Sequence, residues 1–142
     1  MKTLILLAFM LIANVFAGEM QEEFCGDKSL SYCINHFDRH CKAKDYFACY
    51  VVGTLHGEQE QYSETKKYYE MVCDKANSKD DIIELAMQVS CGVLGAFYYN
   101  GESVRQSYEK AFQYSKKACD LGSQTSCDKY KEFKEMNIEK IC

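Results

Sequence analysis

Residues 91–127 read CGVLGAFYYNGESVRQSYEKAFQYSKKACDLGSQTSC. The stretch parses as helix, Gly turn, helix, Gly turn, and a cysteine that restarts the pattern. A first helix is expected over about 92–99, with Val93, Leu94, Phe97 and Tyr98 on one stripe. Asn100-Gly101 ends it, since both residues tolerate the left-handed backbone of a helix terminus. A second helix is expected from 104 or 106 to 119, where Tyr108, Ala111, Phe112 and Ser115 recur at helical spacing and Asp120-Leu121-Gly122 closes the run. Cys119 and Cys127 are eight apart. In one helix that is about 12 Å along the axis, beyond the limit of about 7 Å for bonded Cα atoms. If the two are joined, the chain reverses between them, at Gly122-Ser123.

The rest of the chain echoes this unit. Cys25, Cys33, Cys41 and Cys49 are each eight residues from the last. Residues 26–32 hold turn formers, whereas 34–40 hold no breaker and read as a short helix, which would keep Cys33 from Cys41. The expected pairs are therefore Cys25–Cys33 and Cys41–Cys49, in register with Cys119–Cys127. Residues 49–72 repeat the unit in shortened form: Gly53 aligns with Gly95, Leu55 with Phe97, Gly57 with Gly101, Tyr62 with Tyr108, Tyr68 with Tyr114 and Cys73-Asp74 with Cys119-Asp120. Cys73 and Cys91 are eighteen apart. The ten extra residues carry a helix start at 78–81 and an apolar stripe, Ile82, Ile83, Ala86, Val89 and Val93. One long helix over about 80–99 follows, with Cys91 in its middle and Cys73 reaching it from the side. Beyond Cys127, Tyr130, Phe133 and Met136 mark a last amphipathic helix, the outer cap of a stack. Of the nine cysteines, Cys142 is left over.

Residues 1–17 read as a cleaved export signal: Lys2, an apolar run over 4–16, and a small-residue end at Ala17. Residues 18–142 then form one domain, with units at about 41–72, 73–118 and 119–142, and no other run is expected to span a membrane. The net charge is −4, or −5 without Lys2, and no basic block suggests nucleic acid. Paired cysteines in an exported chain imply an oxidising compartment, so the protein is expected to be secreted or periplasmic. Closing a nine-residue loop is worth roughly 2.5 kcal/mol in the chain-entropy model, so four such links would supply what a stack of about two hairpins lacks.

The unit Leu94-Gly95, Gly101, Tyr108-Glu-Lys-Ala111, Tyr114, Lys117-Ala-Cys-Asp-Leu-Gly122 and Ser126-Cys127 resembles the Sel1-like repeat. The eight-residue cysteine spacing resembles its exported branch, the Helicobacter cysteine-rich protein family. The resemblance implies an all-α fold, a short right-handed α-solenoid of tetratricopeptide-related helix hairpins. It also implies a binding module whose partner is a protein, peptide or glycan. Members of that branch are often described as β-lactamases or penicillin-binding proteins, which is the alternative function.

That alternative needs a serine nucleophile, a nearby base and oxyanion donors. Ser63–Lys66, Ser107–Lys110 and Ser126–Lys129 match Ser-x-x-Lys, but Ser107 aligns with Gln61 rather than Ser63, no Ser-Asp-Asn is present, and the sole Lys-Thr is Lys2-Thr3. Helix capping is the plainer role for these serines, and no catalytic residue is assigned. Cys33, His36, His40 and Cys41 have spacing that could hold zinc, but cysteines in an oxidising compartment prefer to pair, so neither metal nor cofactor is expected. His56 has no visible partner. Tyr62, Tyr68, Tyr108 and Tyr114 are expected to pack between helices, while Tyr50, Tyr98 and Tyr99 are candidates for a groove. Cys142 could join two chains.

Overall fold

The computed structural model describes residues 25–136. The expected export signal over residues 1–17 and Cys142 lie outside the described residues. Among the described residues six helices follow one another: α1 (Leu30–Lys42), α2 (Tyr46–Glu58), α3 (Tyr62–Lys75), α4 (Asp81–Asn100), α5 (Tyr108–Asp120) and α6 (Gln124–Glu135). No strand occurs among the described residues. Local chemistry sets most of the starts. Ser29, Asp45, Asp80, Ser107 and Ser123 each accept a hydrogen bond from a backbone N–H of the first turn, which would otherwise lack a partner. Gln61, before α3, makes no such bond. Gly101 ends α4 at φ 71°, and Gly122 turns the chain into α6 at φ 101°.

The helices stack as hairpins. α2 pairs with α3 and α4 with α5, while α1 packs on α2 and α6 on α5 as half-units. The first helices α2 and α4 also touch. Glycine sets the spacing within each hairpin. A Cβ on Gly53 would stand 2.6 Å from the Tyr69 ring, and one on Gly95 would stand 2.9 Å from Ser115 Oγ. These are equivalent positions of the repeat. The interior runs continuously, from Cys41, Val52, Tyr68, Val72 and Met87, through Cys73, Cys91, Leu94 and Ala118, to Ala111 and Phe133 under α6.

Among the described residues each disulfide ties one segment of the chain to the next. Cys25–Cys33 fastens the chain before α1, with Cα atoms 5.9 Å apart. Cys41–Cys49 joins α1 to α2 (4.6 Å), Cys73–Cys91 joins α3 to α4 (5.1 Å), and Cys119–Cys127 joins α5 to α6 (4.5 Å). A second bond type recurs with the repeat. Tyr68 donates to Asp38 at 2.7 Å and the equivalent Tyr114 donates to Asp74 at 3.1 Å, linking successive second helices. Lys42 and then Tyr68 hold the Asp38 carboxyl below its usual pKa.

Several expectations from the sequence need adjusting. The helix expected over 34–40 runs from Leu30 to Lys42, because Ser29 caps it four residues before Cys33. The last helix begins at Gln124, placing Cys127 in its first turn. Met136 lies just past that helix and is exposed. α4 is a single helix, as its stripe suggests, and it is long and apolar enough to cross a membrane by length and composition. This corrects the sequence reading that no second run qualifies. In the stack, the face of α4 that carries Cys91, Leu94 and Tyr98 is buried.

Candidate functional site

The three Ser-x-x-Lys pairs have separate fates, decided by what holds each lysine. Lys66 forms an ion pair with Glu70 at 2.8 Å. The Glu70 bond raises the lysine pKa, so Lys66 stays a cation rather than a base. Lys110 Nζ lies 4.8 Å from the centre of the Tyr98 ring, a cation–π contact. Lys129 binds Glu132 at 2.8 Å and covers the Tyr99 ring at 4.0 Å. Ser107 Oγ caps α5 by accepting from Lys110 N. Ser126 is buried against Ser123, whose hydroxyl donates to it at 3.0 Å. No serine–lysine hydrogen bond of the kind a nucleophile–base pair needs is formed among the described residues.

Two of these pairs nevertheless meet. Ser63 and Lys66 from α3 face Ser107 and Lys110 from the start of α5 across an open cleft of about 760 Å³. Tyr98 and residues 103–106 of the α4–α5 loop complete its lining. The loop is pinned at several points. Ser107 N–H donates to the Tyr98 carbonyl at 2.9 Å, Gln106 Nε2 to the Tyr99 carbonyl at 2.7 Å, and Gly101 and Glu102 N–H both to the Phe97 carbonyl. Ser103 adopts φ 54°, a left-handed conformation uncommon for a residue with a side chain. Tyr98 donates to Glu70 at 3.2 Å, so the carboxylate behind Lys66 is itself held in place.

A second surface lies along α4. Ile82, Leu85, Val89, Gly92 and Ala96 fall on one helical stripe. Ile82 is 61% exposed and Leu85 57%, Ala96 is exposed, and Val89 and Gly92 are half-buried. α4 therefore has one face in the core and an apolar strip whose Ile82, Leu85 and Ala96 are left uncovered, while at Gly92 α6 lies against it, with Ser126 Oγ 3.2 Å from where a Cβ would stand. On α2, Tyr50 stacks on the buried Tyr69 at 5.8 Å, and Tyr69 shares a hydrogen bond with Thr54 at 3.0 Å. One turn further, Glu58 has a buried carboxylate oxygen, Oε1, without a hydrogen-bond partner. Burial raises its pKa.

Of the remaining candidates, Tyr62, Tyr68 and Tyr114 pack between helices, with Tyr62 against Phe97 at 5.8 Å and Tyr114 against Tyr98 at 5.8 Å. Tyr108 does not. It starts α5, is 47% exposed, and accepts from Gln106 Nε2. Tyr98 lines the cleft although it is almost fully buried, and Tyr99 sits beneath Lys129. His36 and His40 are neighbours at 4.8 Å, but Cys33 and Cys41 are each in a disulfide and offer no thiolate. Among the described residues no group of three or more His, Cys, Asp or Glu is arranged to hold a metal. His56 has a partner that the spacing did not show, Gln61 at 2.7 Å, and its ring stacks on Tyr68.

The hairpin α4–α5, with its glycine contact and closing turn, is what a helical repeat of this length requires. Residues 90–123 match the Sel1 repeat. The match spans that hairpin from the middle of α4 to the turn before α6, and so includes the cleft loop and the Gly95–Ser115 contact. No curated protein and no solved structure matches the chain.

Proposed function

We propose that this chain is a disulfide-stapled Sel1-repeat module of the exported cysteine-rich branch, working in the periplasm or outside the cell as a binding protein whose partner is a protein or peptide. The observation that carries this reading is the uncovered apolar strip of α4. A helix with one face in the core ordinarily presents charge on the other, whereas here Ile82, Leu85 and Ala96 face solvent. Four disulfides support an oxidising setting, and the Sel1 repeat supports a protein partner over a glycan. The hydrolase alternative gains nothing from a site in which each candidate lysine is held by a carboxylate or an aromatic face rather than by a serine hydroxyl.

The test is site-specific photocrosslinking in the source cells, with a photoreactive phenylalanine analogue at Leu85 and, in a control chain, at Lys131 on the exposed side of α6. Protein adducts at Leu85 that are absent at Lys131 are expected. Equal adducts at both positions, or none at Leu85, would remove the reading. Nitrocefin hydrolysis by the oxidised protein that disappears in Ser63→Ala or Ser107→Ala would replace it with the enzymatic one.

A further inference from the structure

The cleft between α3 and the α4–α5 loop has a composition at odds with the rest of the chain. The protein as a whole carries a net charge of −4. Yet the cleft is lined by Lys66, Arg105 and Lys110, by the hydroxyls of Ser63, Ser103 and Ser107, and by no carboxylate. Glu70 stands behind Lys66 and neutralises that one cation. Glu102 and Glu60 lie nearby and their charges act on Tyr62, and Glu109 precedes Lys110, but none of the three lines the cleft. Lys110 is balanced only by the face of a ring, and Arg105 makes no ion pair among the described residues.

Like charges gathered on an acidic protein repel one another, and nothing in the packing requires them here, since Arg105 and Lys110 are exposed. What does look built is their support. The loop carrying Arg105 is tied to the last turn of α4 by the hydrogen bonds of Ser107, Gln106, Gly101 and Glu102. Lys66 is set by Glu70, which is set in turn by the Tyr98 hydroxyl. A pre-ordered group loses less entropy when it binds. The geometry points to an anion-binding cleft that takes the carboxylates of an acidic peptide segment of a partner protein. Peptide is favoured over a single inorganic anion because the three cations come from three separate elements, α3, the loop and α5, around a space of about 760 Å³. That space suits a short segment bearing more than one carboxylate. The inference rests on the protein-binding reading but uses a different surface from the α4 strip.

The experiment is a titration of the oxidised, isotope-labelled protein followed by amide chemical shifts, with capped hexaglutamate as probe and hexalysine and inorganic phosphate as separate arms. Hexaglutamate is expected to shift the amides of residues 103–110 and of Lys66, while leaving Ile82 and Leu85 in place. Raising salt from about 20 to 200 mM weakens the effect severalfold, as exposed charges are screened. Arg105→Glu with Lys110→Glu, both exposed and so without effect on the far-ultraviolet spectrum, lowers the affinity at least about tenfold. The milder Arg105→Gln with Lys110→Gln lowers it less. No shift with hexaglutamate, an equal response to hexalysine, or saturation by phosphate at lower concentration than by peptide would each overturn the inference. Adducts at Leu85 in the crosslinking test would survive any of these, so the two readings fail separately.

Discussion

A methyl group on Gly53 should destabilise the protein, although helix propensity alone says the opposite. Gly to Ala in a helix interior gains about 1 kcal/mol. At Gly53, however, the new Cβ would stand 2.6 and 2.7 Å from two Tyr69 ring carbons and 3.2 Å from Tyr68 Cβ. The Tyr69 ring cannot swing aside: it is buried, stacked on Tyr50 and hydrogen-bonded to Thr54. α2 and α3 must therefore separate, at an overpacking cost near the upper end of the usual range of about 1–3 kcal/mol. The net expectation is a loss of about 2 kcal/mol, or a fall of roughly 1–2 M in the urea midpoint by circular dichroism. The equivalent Gly95→Ala meets a softer obstacle, Ser115 Oγ at 2.9 Å, with the α5 backbone at 3.4 Å. Its cost should roughly cancel the propensity gain. Adding Ser115→Ala should then turn the pair stabilising, with a coupling energy of about 1 kcal/mol. A Gly53→Ala protein as stable as the parent or more so, or a Gly95–Ser115 cycle with no coupling, would refute the claim that glycine sets the hairpin spacing.

Replacing Cys119 and Cys127 together by Ser should cost about 2.6 kcal/mol, and replacing Cys73 and Cys91 about 3.2 kcal/mol or more, by the length of the loop each closes; denaturant titration of the two double variants checks the order. Glu58→Gln should raise the melting temperature at neutral pH. A carboxyl whose pKa is raised in the fold stabilises below its unfolded value and loses that contribution as pH rises through the folded one, so the advantage should vanish near pH 4. Asp38 has the opposite sign. Its contribution is present above the unfolded carboxylate range and is lost as pH falls through the lowered value, so Asp38→Asn should be less stable than the parent at pH 6 but converge with it in acid. Leu85→Glu should leave stability within about 0.5 kcal/mol, since the side chain is mostly exposed, and should abolish the protein adducts expected at the α4 strip.

The fold was readable because its determinants are local or periodic. Gly53 and Gly95, Tyr68 and Tyr114, and the eight-residue cysteine spacing recur in the chain and mark equivalent places in the stack. The long α4 announced itself through Asp80 and an unbroken stripe. Helix starts were less legible where a serine cap lies before the first apolar residue, as with Ser29 and Ser123. Tyr108 resembles Tyr62 by alignment yet stays exposed, because the α4–α5 loop is four residues longer than its counterpart after α2 and Gln106 turns to meet it. The cleft was not legible at all. Ser63 and Ser107 look unrelated because they are not equivalent repeat positions, and that inequivalence is what lets residues from adjacent second helices face each other. Periodicity identifies what recurs, not what two unlike positions form together.

The Cys73–Cys91 bond grips α4 near its midpoint rather than at its tip. The ten residues ahead of Cys91 therefore act as a two-sided outrigger: Ala86, Met87 and Ser90 seat its inner side in the core, while its outer side can be recoloured without moving the joint that keeps neighbouring hairpins in step. Ile82 and Leu85 belong to that outer side, so a related chain could retune what it captures by editing these positions alone, with the tethered frame behind them left untouched.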